Sequence, residues 1–126
     1  MRARGFASIL ILLLLSPPLW GYPLSRTIEM IATGYAPLDP QAVRGMCFSG
    51  DPGVTASGRR TEPGVTVAVP KNIPFGTWLY IEGVGWRRAD DRGGRIKGQR
   101  LDICFQTRKE ALQWGVRKVK VMFVWK

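Results

Sequence analysis

Histidine is absent from this chain of 126 residues, and cysteine occurs only twice. Without histidine the chain cannot build the Ser-His or Cys-His nucleophile pairs of many hydrolases, or a histidine-ligated zinc site. Two cysteines cannot complete a zinc site by themselves. We therefore predict no metal and no cofactor, and any chemistry must rest on carboxylates. Acidic residues are also scarce, 9 against 19 lysines and arginines, so the candidates are few.

Long apolar runs are missing as well, apart from one near the N-terminus. Residues 6–15 form an apolar run of about ten residues, well short of the roughly 20 that cross a bilayer. Arg2 and Arg4 precede this run and Pro17-Pro18 follows it, which is the pattern of an export signal. We predict a signal peptide over residues 1–21, a tether over residues 22–26 and one folded domain over residues 27–126. The expected location is the cell envelope or the extracellular space, in the periplasm or the cell wall.

The formal net charge of +10 favours an anionic partner. An exported basic chain more often meets anionic envelope polymers or lipid head groups than nucleic acid. No predicted helix concentrates basic residues on one face, so nucleic acid is the weaker interpretation and we predict none as a partner. We also predict no membrane span once the signal is removed.

Short β-rich segments dominate the folded part. Six strands are predicted, over residues 27–36, 65–69, 77–82, 86–91, 101–105 and 118–126. Between the first two strands, residues 37–64 form a loop rich in Gly, Pro, Ser and Asp, and loops of that length in a small domain are often functional. The pattern predicts a mainly β protein, a small closed or partly closed barrel.

One helix is predicted before the last strand. Thr107 stands three residues before Glu110, the spacing of a capping box, and Gly115 suits the left-handed position at the helix end. The apolar face of this helix is predicted to consist of Ala111, Leu112 and Trp114.

Three aspartates surround a glycine-rich loop in the C-terminal half. Asp90 and Asp91 end one predicted strand, and Asp102 lies inside the next. Residues 92–100 between them carry three glycines and four cations. An ionised carboxylate within a strand is costly unless it is paired or has a chemical role, so Asp102 is the leading candidate. A polar turn with ordinary acidic residues is the alternative. A carboxylate metal site is a third interpretation, which the cations of the loop disfavour.

Together these segments resemble the 3D domain family, which is named for three aspartates and is similar to the catalytic part of membrane-bound lytic transglycosylase A. The resemblance covers about residues 29–124. Its most specific part is Asp-x-Gly-Gly-x-Ile-Lys-Gly, from Asp91 to Gly98, followed by Asp102. Other matching segments include Thr33-Gly34-Tyr35, Thr55-Ala56-Ser57-Gly58, Val67-Ala68-Val69 and Ile73-Pro74-Phe75-Gly76-Thr77. The resemblance implies a small six-stranded double-psi β-barrel with one short helix, which cleaves peptidoglycan glycan strands.

The resemblance also implies the roles of two residues. Asp102 matches the catalytic acid and base of the family, and Asp91 matches its partner across the glycine loop. One departure concerns Pro70-Lys71, which follows Val69 where the family usually places its first aspartate. That departure favours a second function of a different class, a non-catalytic glycan-binding module with the same barrel.

The implied reaction needs only one carboxylate, because the substrate carries its own nucleophile, the 6-hydroxyl of N-acetylmuramic acid (MurNAc). Asp102 would protonate the leaving oxygen of the bond to N-acetylglucosamine (GlcNAc) and then deprotonate that hydroxyl, which leaves a 1,6-anhydro-MurNAc end. To begin as an acid it must be protonated. A nearby Asp91 would raise its pKa, and Arg92, Arg95 and Lys97 would lower it.

Five further residues are candidates for binding the glycan. Gly93 and Gly94 would let the backbone approach a sugar without a Cβ in the way. Thr55 and Ser57 would donate hydrogen bonds to substrate, and Lys97 would contact the glycan. Simpler interpretations stay open: a tight turn, a loop that satisfies its own backbone, and a solvated lysine.

The aromatic and sulfur-containing residues give two more expectations. The sequence carries Trp78, Trp86, Trp114 and Trp125, which could include a sugar-stacking platform, although tryptophan in a small barrel is mostly core. Cys47 and Cys104 are predicted to form a disulfide, because the chain is exported and only one pairing is possible. A pair of buried thiols is the alternative.

Overall fold

A computed structural model describes residues 25–124 as a closed barrel of six strands with one short helix. The elements, in chain order, are β1 (Ser25–Tyr35), β2 (Thr66–Ala68), β3 (Trp78–Ile81), β4 (Gly85–Asp91), β5 (Arg100–Cys104), helix α1 (Arg108–Trp114) and β6 (Arg117–Val124). The predicted mainly β barrel with six strands and one helix is confirmed. No helix in this part of the chain is long and apolar enough to span a bilayer.

Mixed pairing closes the barrel in the strand order β1-β5-β2-β4-β3-β6. Strand β1 pairs in parallel with β5 and antiparallel with β6, and β2 pairs in parallel with β4 and antiparallel with β5. The predicted signal peptide lies outside the described residues, as do residues 22–24 of the predicted tether. Strand β1 begins at Ser25, so the last two residues of that tether pair with β6 instead.

The core follows from the two-residue period of the strands. Alternate apolar side chains of β1, β3, β5 and β6 point inward and are almost fully buried; they include Met30, Ala32, Leu79, Ile81, Leu101, Ile103, Val119, Val121 and Phe123. The short strand β2 is buried throughout, with Val67 and Ala68 nearly inaccessible to solvent. Because β2 lies between β4 and β5, both of its edges are paired and its position in the barrel is fixed.

Residues 37–64 contain two isolated bridges, but no helix and no strand. The loop is held by its own polar groups: the Thr61 hydroxyl donates to the Pro52 carbonyl at 2.8 Å, and the Thr55 N–H donates to the Arg59 carbonyl at 2.8 Å. It is also fastened to the barrel, because the Ser57 N–H donates to the Asp90 carbonyl at 3.1 Å. These hydrogen bonds therefore hold the long loop against one end of the barrel.

Helix α1 packs on β1, and Thr107 and Gly115, the residues predicted to end it, flank it, although only the Thr107 half of the predicted capping box is formed. The Thr107 hydroxyl accepts the Glu110 N–H at 3.2 Å, and Gly115 has φ 68°. The buried Trp114 ring packs inward, and its indole N–H donates to the Ala32 carbonyl at 3.1 Å. The predicted apolar face is wrong for Leu112, which is 70% exposed. Leu112 is two residues from Trp114, about 200° around the helix, so it faces solvent.

Close packing between α1 and β1 predicts a large effect of one added methyl group. A Cβ at position 34 would lie 2.7 Å from Cε2 of Phe105 and 3.2 Å from the Cα of Ala111. We expect Gly34→Ala to lower the free energy of unfolding by about 1–3 kcal/mol, as overpacked cores do. Urea denaturation measures the change.

Gly50→Ala is the matched control, because a Cβ at that position meets nothing within 4 Å. Its free energy of unfolding should stay within about 0.5 kcal/mol of wild type or rise slightly. Equal stability of the two variants would show that the ring of Phe105 can move aside freely.

Candidate active site

A cleft of about 730 Å³ opens between the long loop and the glycine loop at one end of the barrel. Residues 45–52 form one side, and residues 92–96 form the other. The barrel contributes Tyr35, Ala68, Asp91 and Asp102 between them. A second, shallower groove of similar size lies beside helix α1, where Asp39 is its only acidic side chain. The two predicted catalytic aspartates therefore share one cleft.

A β-bulge in β4 brings the two aspartates to the same face. Val67 is opposite Ala89, but the next residue, Ala68, is opposite Asp91, so Asp90 is an extra residue in β4. Ala68 is also opposite Asp102 on its other side. Without the extra residue Asp91 would point away from Asp102, because a one-residue shift reverses which face a side chain occupies. The Cα atoms of Asp91 and Asp102 are two strand spacings apart, about 10 Å. The small side chain of Ala68 leaves the space between the two aspartates open.

Asp102 is half-buried, and its carboxylate is held by the adjacent strand. Its register partner is Thr33, whose hydroxyl donates to Oδ1 at 3.0 Å. Burial raises the pKa of the Asp102 carboxyl from an ordinary 3.8 to about 6. The Thr33 hydrogen bond lowers this pKa, Asp91 adds to the rise, and Arg100 opposes it. A carboxyl with this pKa can donate a proton and take one back near neutral pH.

Asp91 is fixed by three donors from three parts of the chain. Its Oδ2 accepts the Tyr35 hydroxyl at 2.7 Å, and its Oδ1 accepts the Ala56 and Arg92 N–H groups at 2.9 Å each. Burial, followed by the charge of Asp91, raises the pKa of the Tyr35 hydroxyl far above its ordinary value, so the phenol keeps its proton and donates. Asp91 thus ties the long loop and β1 to the glycine loop.

Asp90 has a different environment from its neighbour. Its side chain is fully buried, and both of its oxygens accept the Arg88 Nε–H, at 2.8 and 2.9 Å. Arg59 lies 3.8 Å from Oδ1. Asp90 therefore braces the bulge and does not line the cleft. Among residues 25–124, no three carboxylate or thiol side chains converge as metal ligands would.

The loop cations do not all surround Asp102. The Arg92 guanidinium donates to the Ile73 carbonyl at 2.7 Å and lies 4.0 Å from the centre of the Phe75 ring. It therefore ties the glycine loop to the β2–β3 connection. Arg95 lines the cleft and Lys97 does not. Arg100, which the sequence did not single out, is the cation that lowers the Asp102 pKa.

The predicted glycan-binding residues occupy different positions. Gly93, Gly94 and Thr55 line the cleft, whereas Ser57 and Lys97 do not. The Thr55 hydroxyl is buried and donates to the Arg59 carbonyl at 3.0 Å, and it lies 2.8 Å from the Ser57 hydroxyl. The two hydroxyl groups thus satisfy the long loop itself, as the simpler interpretation held, and a binding role for the glycines stays a prediction.

The predicted disulfide is wrong for this structure, where Cys47 and Cys104 are both free. Cys47 lines the cleft from the long loop, while Cys104 is buried in β5. Burial, with the charges of Asp91 and Asp102, raises the pKa of the Cys104 thiol to about 12. A thiol that keeps its proton at neutral pH is unreactive, so Cys104 serves as a small buried side chain.

Sequence reasoning assigned no role to two residues that hold the aspartates. Thr33 and Tyr35 belong to a matching segment, but neither was singled out. They stand two residues apart on β1, so both side chains lie on the face of the strand where they reach Asp102 and Asp91. That alternation of hydroxyl side chains in a strand was the available signal.

Comparison with known proteins bears on this site. The family model described as "3D domain" matches residues 65–125. The chain is 34% identical over 101 residues to the Cell wall-binding protein YocH of Bacillus subtilis, covering 77% of this chain and 32% of that protein. It is 36% identical over 77 residues to the Putative cell wall shaping protein YabE of the same organism, covering 58% and 19%. The chain thus spans about a third and about a fifth of these relatives.

Solved structures similar to this barrel include MltA from Escherichia coli, a lytic transglycosylase. One MltA crystal structure aligns with a TM-score of 0.50 and 26% identity, covering 58% of this chain and 27% of that chain. A variant of MltA in an apo form aligns with a TM-score of 0.52 and 25% identity over the same shares. The similarity therefore concerns about a quarter of MltA.

The buried ion pair in the bulge predicts a loss of stability. Asp90→Ala leaves the Arg88 guanidinium, whose side chain is 17% exposed, without its partner. We expect the free energy of unfolding to fall by about 3 kcal/mol in urea denaturation. The exposed pair of Glu29 and Lys118, 3.5 Å apart, is the control, and Glu29→Ala should cost less than about 1 kcal/mol. Equal costs would contradict a bracing role for Asp90.

The raised Asp102 pKa predicts a stability that depends on pH. The folded protein holds this proton more tightly than the unfolded chain, so the contribution is complete below about pH 4 and is lost as the pH rises through about 6. Asp102→Asn cannot ionise. Its free energy of unfolding relative to wild type should therefore rise by about 2–3 kcal/mol between pH 4 and pH 7. Asp51→Asn removes an exposed carboxylate of the same cleft and controls for net charge. A relative stability of Asp102→Asn that does not change with pH would contradict the raised pKa.

Proposed function

Because the 3D domain model matches residues 65–125 of this chain, we propose that it is an exported lytic transglycosylase, which cleaves the bond between MurNAc and GlcNAc in peptidoglycan. The observation that carries the proposal is the Asp102 carboxyl, which lies in the cleft with a pKa near 6. A carboxyl of this kind can serve as the acid and then as the base of one reaction. The names of the two relatives, cell wall-binding and cell wall shaping, support a place in the cell envelope.

In the first step Asp102, in its protonated form, donates its proton to the glycosidic oxygen. The bond between this oxygen and the anomeric carbon of MurNAc breaks, and GlcNAc leaves as an alcohol. Positive charge develops on the MurNAc ring, as in other glycosidic bond cleavages. The ionised Asp91, held by three hydrogen bonds, supplies a fixed negative charge in the same cleft.

In the second step the Asp102 carboxylate takes the proton of the MurNAc 6-hydroxyl, and this oxygen bonds to the anomeric carbon. The products are a GlcNAc end and a 1,6-anhydro-MurNAc end, and Asp102 regains its proton. The nucleophile belongs to the substrate and is already beside the reacting carbon, which removes the entropic cost of positioning a water molecule. One acid and base is then enough, in a chain without histidine.

A non-catalytic glycan-binding module is the second candidate function. Pro70-Lys71 follows Val69, where the family usually has its first aspartate, and the name of YocH describes cell wall binding. The cleft has the same lining residues under either function. The difference between the two candidates is whether bound glycan is cut.

Digestion of purified peptidoglycan sacculi tests the enzyme proposal. We expect the wild-type protein to release fragments with 1,6-anhydro-MurNAc ends, which mass spectrometry finds one water lighter than hydrolytic products. Asp102→Asn should reduce release at least about a hundredfold, the low end of the contribution of general acid–base groups. Asp91→Asn should reduce release less, because the amide can still accept the Ala56 and Arg92 N–H groups.

Asp51→Asn is the matched control, since Asp51 lines the same cleft and lies away from Asp91 and Asp102 in the chain. It should release fragments at the wild-type rate. Release of mainly reducing ends would mean a hydrolase with Asp91 in a second catalytic role. Retention of sacculi without any release would favour the binding module.

A further inference from the structure

An aromatic pair lies exposed on the outer face of β3 and β4, away from the cleft-lining residues. Tyr80 and Trp86 are register partners on adjacent strands, so their side chains share one face. Their ring centres are 5.4 Å apart, with an angle of 73° between the planes. The edge-to-face contact explains why the rings pair across the strands. It leaves 43% of Tyr80 and 47% of Trp86 accessible to solvent.

Two polar groups of this pair are also available. Within residues 25–124, neither the Tyr80 hydroxyl nor the Trp86 indole N–H has a hydrogen-bond partner in the protein. The other tryptophans of this region are already engaged. The Trp114 indole is bound to Ala32, and the Arg88 guanidinium covers the Trp78 ring at 5.6 Å. The pair therefore offers free ring surface together with free donors.

The outer face of the barrel runs without a break from the cleft to this pair. Side chains at every second position of β1 share one face, so Thr33, beside Asp102, is followed on that face by Ile31, Glu29 and Thr27. Thr27 is opposite Met122 on β6, Met122 is opposite Tyr80 on β3, and Tyr80 is opposite Trp86. The span from Thr33 to Thr27 is about 20 Å along the strand.

The middle of this face is basic. Ile31 has Arg100 on one side and Lys118 on the other, and Glu29 is opposite Lys120. These three cations are exposed, and the single acidic residue among them, Glu29, lies 3.5 Å from Lys118. An excess of positive charge complements an anionic polymer laid along the face. Peptidoglycan is such a polymer, because its stem peptides carry carboxylates.

We propose that Tyr80 and Trp86 form a second glycan-binding site, which holds a peptidoglycan strand that extends beyond the cleft. The exposed ring surface stacks against the C–H face of a pyranose, and the free hydroxyl and indole N–H donate to sugar hydroxyls. The basic rows between the cleft and the pair attract the stem-peptide carboxylates. The identity of this ligand rests on the proposed function, but the site itself needs no catalysis.

The position of the pair favours a glycan over a lipid surface. Aromatic residues that enter a membrane interface sit where they can reach the head-group level. Here the tip of the β3–β4 connection is Glu82, Gly83 and Val84, of which the one apolar residue, Val84, is half-buried. Tyr80 and Trp86 lie within the strands on the face of the barrel. This outer strand face, with Met122 and the exposed Lys120 beside the pair, suits a glycan strand that lies across it.

Binding to insoluble sacculi, measured by co-sedimentation, tests the site. The full chain carrying Asp102→Asn is used as the parent, so that bound glycan is not cut. We expect Trp86→Ala in this parent to raise the dissociation constant for sacculi about tenfold, and Tyr80→Ala several-fold, as removal of an aromatic contact does. Leu112→Ala, which removes an even more exposed apolar side chain on helix α1, should leave the dissociation constant unchanged.

Soluble peptide-free glycan strands provide a second measurement. Addition of long strands should shift the Trp86 indole N–H resonance, and the Trp86→Ala spectrum identifies that resonance. Urea denaturation of each variant separates lost binding from lost folding. A folded Trp86→Ala protein that binds sacculi as tightly as the parent would overturn the proposal. Binding of phosphatidylglycerol vesicles through Trp86, without a shift by glycan, would also overturn it.

These outcomes are independent of the enzyme test. If no variant of this chain cuts peptidoglycan, but Trp86→Ala still weakens binding to sacculi, the second site stands and the lytic activity fails. If wild type cuts sacculi and Trp86→Ala binds them normally, the second site fails and the lytic activity stands.

Discussion

The β-bulge opposite Ala68 is the constraint on which the site depends. It inserts Asp90 into β4, so that Asp91 and Asp102 both face the cleft from opposite sides of β2. The extra residue would leave a buried charge and a distorted ladder if it were not compensated. The Arg88 guanidinium compensates the Asp90 charge at 2.8 Å, and the Ser57 N–H donates a hydrogen bond to the Asp90 carbonyl at 3.1 Å. Adjacent aspartates thus have opposite functions, one in the barrel wall and one in the cleft.

From this bulge the rest of the cleft follows. Asp91 collects the Tyr35 hydroxyl and the Ala56 and Arg92 N–H groups, which fixes the long loop over the end of the barrel. Burial is the largest contribution to the raised Asp102 pKa, and Asp102 lines the same cleft as the long loop. The Arg92 backbone N–H holds Asp91, but the Arg92 guanidinium is not among the groups that shift the Asp102 pKa, because it is held by the Ile73 carbonyl and the Phe75 ring.

Acidic, basic and aromatic residues follow one another in that order along the outer face of the barrel. Acidic groups meet in the cleft, basic residues Arg100, Lys118 and Lys120 follow along β1, and exposed aromatic rings come last. Since β1 pairs with both β5 and β6, its outward side chains form the line along which these regions connect. A small domain with a modest core can in this way present an extended surface to a polymer without any change in its fold.

The sequence by itself determined the class of fold, the long loop and the candidate carboxylate Asp102. Alternating β-branched and apolar residues specified the six strands, and local chemistry specified the helix between Thr107 and Gly115. Asp102 was identifiable because a carboxylate in a strand is costly wherever that strand packs. The family resemblance already named Asp91 as the partner of Asp102, but only the tertiary structure showed the bulge that turns Asp91, and not Asp90, toward it. A bulge depends on the partner strand, and the two-residue period of β4 alone points to the wrong face. Contacts between segments distant in the chain also decided three other features that the sequence could not predict. These are the exposure of Trp86, the separation of Lys97 from the cleft, and the free thiols of Cys47 and Cys104.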